Sequence, residues 1–229
     1  MTLLSLFMLI LILYGVNRIL DRSDLDPEVK TRFFYTSLLV ITGWFILISI
    51  LSYLGVLSNF DSFPPRPVFL IFLPLPFIIY FSFTSTFRKF AQTTPKSWFV
   101  NIQSFRILVE IILWMMFLAG QLPVQMTFEG NNFDVLVGLT AFPATWLFLS
   151  RGKYKRTAAI IWNICGLLLL LNILVIAVLS MPTPMRYFMN EPANTIVATF
   201  PYALLPGILV TIAYSMHIFS LRQLFLQKD

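Results

Sequence analysis

The chain has 229 residues, of which 58% are hydrophobic and only 11% charged, with a formal net charge of +6 and a mean hydropathy of +0.83. Soluble domains carry roughly 25% charged residues. This composition cannot supply a solvated surface, which excludes an ordinary soluble enzyme or binding module. A single Cys excludes an internal disulfide.

A bilayer core of about 30 Å takes roughly 20 apolar residues per helix. Seven stretches meet that need: Leu3–Leu20, Phe33–Leu57, Val68–Phe87, Trp98–Leu118, Phe133–Ser150, Thr157–Ser180 and Thr195–Phe219. Backbone in lipid must satisfy its own hydrogen bonds, so each is expected to be helical. The expected fold is an all-α integral membrane protein, one domain over residues 1–229 forming a seven-transmembrane-helix bundle. The first stretch lacks a basic n-region and a small-x-small cleavage site, so it is read as a retained span rather than a secretory signal. Charged Asp21–Lys30 separates spans one and two, and Pro64, Pro65 and Pro67 separate spans two and three.

Basic residues set the orientation. Arg18, Arg22, Lys30 and Arg32 follow span one; Arg88, Lys89 and Lys96 follow span three; Arg151, Lys153, Lys155 and Arg156 follow span five; Arg222 and Lys228 end the chain. The opposite side holds Arg66 and Arg186. The positive-inside rule then places the N-terminus outside and the C-terminus inside. These cations are split among short loops beside lipid, which argues against a nucleic-acid partner and leaves the bilayer as the main one.

Span four carries the costliest residues. At about 1.5 Å per residue from Trp98, Arg106 lies roughly 12 Å in and Glu110 roughly 18 Å in. Charges at such depth are disfavoured by about 2.5–3.5 kcal/mol each and mark functional sites by default. Spaced i, i+4, they are expected to meet on one helix face, with Gln103 on the same stripe. The connection to span five, Met126–Asp134, adds Glu129 and Asp134 without a single Lys or Arg. There Asn131 or Asn132 suits a helix N-cap, and Asp134 suits the first turn, where the helix dipole favours a carboxylate.

Gln103-Ser-Phe-Arg-Ile-Leu-Val-Glu110, Pro123-Val-Gln-Met-Thr-Phe-Glu-Gly-Asn-Asn-Phe-Asp134 and Gly138-Leu-Thr-Ala141 together resemble a segment of uncharacterised bacterial polytopic membrane proteins. The resemblance implies a multi-pass protein of the bacterial cytoplasmic (inner) membrane and brings no activity with it.

In span six, Asn163 and Asn172 are nine residues apart and so on opposite faces, which builds no shared polar lining. In span seven, Thr195, Thr199, Tyr202 and Pro206 share a face, and Pro201 and Pro206 remove two backbone donors. Tyr202 is therefore a further candidate. His217 is expected at the inner interface.

Several chemistries are excluded. Span seven has no lysine for a retinal Schiff base, and one His and one Cys in different spans supply no zinc or haem ligand set. No cofactor and no metal are expected. The reading that remains is a small transporter or solute-binding protein, with Arg106, Glu110, Gln103, Glu129, Asp134, Asn131, Asn132 and Tyr202 as binding or relay residues for a small polar or ionic solute or a proton. The alternative is a receptor-like or assembly subunit whose inner basic loops dock a cytoplasmic protein partner.

Overall fold

A computed structural model describes residues 1–62, 64–149 and 155–227. Arg151, Lys153 and Lys228, read above as parts of the inner basic loop and tail, lie outside the described residues.

The described residues are helical, with no strand among them. Eight helices run in chain order: α1 Thr2–Arg22, α2 Pro27–Tyr53, α3 Arg66–Ser82, α4 Ser85–Thr93, α5 Lys96–Leu118, α6 Val135–Leu149, α7 Arg156–Leu179 and α8 Leu205–Leu226. Local chemistry sets several of their starts. Pro27 opens α2, where its missing N–H costs nothing. The Thr84 hydroxyl accepts the N–H of Phe87 and caps α4.

Seven full-length spans are expected from the sequence, and the helices divide differently. Five of the described helices are long and apolar enough to cross a membrane, or six if the bent pair α3–α4 counts as one. The pair bends by 78° at the Phe83–Thr84 break, so the third stretch does not continue straight to Phe87. Residues 195–204 are a short 3-10 turn and irregular chain rather than helix, and α8 begins only at Leu205. Proline explains this, because Pro201 and Pro206 cannot donate to a helical ladder there. Helix α6 contains Pro143, and its last described residues, Thr145–Leu149, form a π turn.

The most central helix is α8, which packs against α1, α2, α3, α4, α5 and α7. Its polar residues are spent on neighbours: the Gln223 amide donates to the carbonyls of Ala91 and Thr94, and the Tyr214 hydroxyl to the carbonyl of Ile71 beside the α3 prolines. Helix α2 is the least enclosed, with only Ile48 and Ser52 buried. Its anchor to the bundle is Trp44, whose indole N–H donates to the Gly207 carbonyl at 2.9 Å.

A buried charged site between α5, α6 and α8

The connection from α5 to α6 does not stay at the end of the bundle. It folds through a short turn at Val124–Met126 and brings Asn132 to the side chain of Glu110. Glu110 lies eight residues before the end of α5, hence about 12 Å below it. Helix α6 therefore starts beside Glu110, below the end of α5. The turn is held by its own hydrogen bonds and by Gln125, whose amide donates to the Ser180 hydroxyl and accepts from Asn190. Gly130 sits so close to the Val124 carbonyl that a Cβ would not fit.

Arg106 and Glu110 share a face of α5 as expected, at 1% and 2% exposure, but they do not pair with each other. Arg106 Nε faces Asp134 Oδ2 at 3.2 Å. Glu110 Oε1 instead accepts from the Asn132 amide at 2.6 Å, and the same amide donates to the Met126 carbonyl. Asn132 Oδ1 accepts the backbone N–H of Asp134, which fixes the carboxylate in place at the head of α6. A cross-helix partner wins because Asp134 comes in on a helix packed closely against α5. Gly138 allows that approach: a Cβ there would meet Ile107 at 2.8 Å.

His217 was expected at the interface and lies in the site. Since α8 starts at Leu205 and runs to Leu226, His217 falls near its middle and is fully buried. Its Nε2 is 3.4 Å from Arg106 Nη1, and its Nδ1 is 2.9 Å from Asn163 Oδ1. A guanidinium only donates and an amide oxygen only accepts, so these partners select a neutral ring protonated on Nδ1. Asn163 then donates to the Ser220 hydroxyl and the Ala159 carbonyl. Gly166 leaves room for the imidazole, since a Cβ there would overlap the ring. The sequence carries a signal for this arm: Asn163 and Gly166 lie three apart, as do His217, Ser220 and Gln223. Only the helix register hid it.

Other candidates stand apart. Gln103 is buried and its amide donates to the Ala213 carbonyl, so it braces α5 against α8. Glu129 is exposed at the end of the bundle, where its carboxylate accepts the Trp114 indole N–H at 2.7 Å. The Asn131 carbonyl accepts from Asn172, tying the connection to α7. Tyr202 packs against the core from the irregular segment before α8.

Buried polar atoms normally find partners. Here Gln103 Oε1, Arg106 Nη2, Glu110 Oε2 and Asp134 Oδ1 have no hydrogen-bond partner among the described residues. Glu110 and Asp134 line a cavity of about 60 Å³ together with Val109, Met126, Leu174 and the Leu205–Pro206 turn. That is room for a few water-sized particles. No group of three metal-ligating side chains occurs among the described residues.

Several long apolar helices around a buried cluster of opposite charges define the class: a helical protein with the character of an integral membrane protein. The chain belongs to the family described as Domain of unknown function (DUF8737), whose profile matches residues 65–225. Every residue of the charged cluster falls within that stretch, and α1 and α2 precede it. No curated protein and no solved structure matches the chain.

Proposed function

We propose that the chain is a small proton-linked transporter of a bacterial cytoplasmic membrane, crossing it seven times with the N-terminus outside. Its site is Arg106, Glu110 and Asp134, reached from the outer side past Glu129 and Asn131. One observation carries this reading. Two buried carboxylates line the same cavity, Asp134 paired with Arg106 and Glu110 held by the Asn132 amide, with Arg106 the one guanidinium beside them. Buried charges seek balance, and the cluster is neutral when one carboxyl holds a proton and charged when it does not. A cation or proton entering the cavity alters that balance directly. A second feature agrees with it: the chain before α6 and before α8 is irregular at depth, and membrane proteins place such backbone where it lines a cavity. From Arg106 the polar contacts continue through His217 and Asn163 to Ser220, toward the opposite end of the bundle.

The test uses protons as the probe. The full chain is reconstituted in liposomes holding a pH-sensitive dye, and an inside-negative potassium diffusion potential is imposed. Vesicles with the protein should acidify faster than empty ones. Glu110→Gln should slow that acidification about tenfold or more, equivalent to ~1.4 kcal/mol in the barrier. Wild-type vesicles as tight as empty ones, or undiminished flux in a folded Glu110→Gln protein, would overturn the proposal.

A further inference from the structure

A wide hollow has none of the charged-cluster residues among its walls. It has a volume of about 520 Å³ and lies between α1, α2, α3 and α8, where the loosely held α2 stands away from the bundle. Leu9, Ile12, Gly43, Trp44, Ile208 and Met216 are among its walls. The few polar groups there are already engaged: Trp44 with the Gly207 carbonyl, Thr211 with the same carbonyl, and Ser215 with the Thr211 carbonyl. Nothing in this hollow calls for a polar ligand.

It does not end blindly. A second hollow of about 190 Å³, apolar and rich in phenylalanine, shares Ile12, Ile41, Met216 and Phe219 with the first. A third, of about 240 Å³, shares Ile19 and Trp98 with the second. Through these shared walls the three hollows follow one another along α1. The third is the far mouth and changes character, being lined by Arg18, Arg22, Tyr14, Thr93 and Thr94, with no carboxylate among its walls. Arg18 donates its Nε–H to the Tyr14 hydroxyl and lies over that ring, 5.4 Å from its centroid, with the side chain exposed. Asp21, the acid on α1, accepts a hydrogen bond from Asn17 and also acts on Arg18 through its charge, but it is not among the walls of this mouth. Gly15 shapes the neck. The Trp98 indole lies against its bare backbone, where any Cβ would overlap the ring.

Length fits as well as chemistry. Along α1, Leu9 to Arg22 is thirteen residues, about 20 Å. That is roughly half of a bilayer of about 40–45 Å counted with its headgroups, so this row of hollows extends over one leaflet, from an interfacial pair of guanidiniums to an apolar end near the midplane. We propose that it holds one anionic glycerophospholipid. The phosphodiester headgroup sits between Arg18 and Arg22, and one acyl chain follows α1 past Trp98 toward Trp44. Two guanidiniums without a lining acid favour an anionic headgroup over a zwitterionic one.

Native mass spectrometry of the full chain, titrated with phosphatidylglycerol or phosphatidylcholine of matched chains, tests this. Wild type should retain one phosphatidylglycerol in clear preference to phosphatidylcholine. The double variant Arg18→Gln/Arg22→Gln changes two exposed side chains and should lose the preference, with phosphatidylglycerol held about tenfold more weakly. Gly43→Phe fills the apolar hollow; a Cβ at Gly43 meets nothing within 4 Å, so the backbone need not move. It should weaken both lipids. Equal retention of the two lipids by wild type, or full retention of phosphatidylglycerol by the arginine variant, would overturn the site. Loss of preference in the arginine variant with no effect of Gly43→Phe would also overturn it, by reducing the contact to surface charge alone.

Discussion

Asp134, at the head of α6, is the ion-pair partner of Arg106 in the middle of α5, Oδ2 to Nε at 3.2 Å with both side chains buried. Removing one member of such a pair leaves the other as an uncompensated buried charge, typically at a cost of about 3–5 kcal/mol. Glu110 is held by an amide rather than by the guanidinium. Asp134→Asn should therefore lower the thermal unfolding midpoint in detergent more than Glu110→Gln does. Equal losses, or the reverse order, would show that Glu110 is the true counter-ion.

The contact between α7 and α8 makes a second prediction. Gly166 lies so close to the His217 ring that a methyl group cannot be added without displacing it. Gly166→Ala should destabilise the fold by ~1–3 kcal/mol through overpacking. Adding His217→Ala should recover part of that loss, because the space is shared. Unfolding midpoints of the two single variants and the double variant give the coupling; strict additivity would contradict the packing.

How far the site was legible follows from these residues. Arg106, Glu110, Asn132 and Asp134 stand out because charges and amides are rare in an apolar chain and expensive at depth. Their pairing was not legible. The i, i+4 spacing argues for Arg106 with Glu110, and only the approach of α6 at Gly138 gives the guanidinium to Asp134. His217 was misplaced for a different reason. Apolar residues 195–204 look like the start of a helix, whereas Pro201 and Pro206 delay α8 to Leu205 and move its centre toward the C-terminus. Hydropathy measures how apolar a segment is, not where its backbone becomes helical.

Trp44 joins α2 to the start of α8. Trp44→Phe keeps the ring and removes the N–H donor, but the Gly207 carbonyl still accepts from Thr211. The expected loss is therefore modest, ~1 kcal/mol. Its larger effect should be on α2 itself, where so little else is buried. Hydrogen–deuterium exchange of residues 27–53 should quicken relative to α7, and an unchanged rate would mean that lipid-facing packing alone holds α2.

The connection between α7 and α8 should respond to acid. The Arg186 guanidinium donates to the exposed Glu191 carboxylate at 3.0 Å, and the Ala193 N–H donates to its other oxygen. The hydrogen bond from Arg186, then that from Ala193, hold this carboxyl below its usual value. A carboxyl whose value is depressed by folding contributes order that is fully present above its unfolded value, about 4.3, and is lost as pH falls through the lower folded one. Arg186 also bonds the Phe188 and Asn190 carbonyls, so the whole turn depends on where the guanidinium sits. Exchange protection of residues 186–193 should therefore decline in wild type as pH falls below the unfolded carboxyl value. Glu191→Gln should show weaker protection that no longer changes over that range. An acid-induced decline persisting in Glu191→Gln would assign the transition to another group.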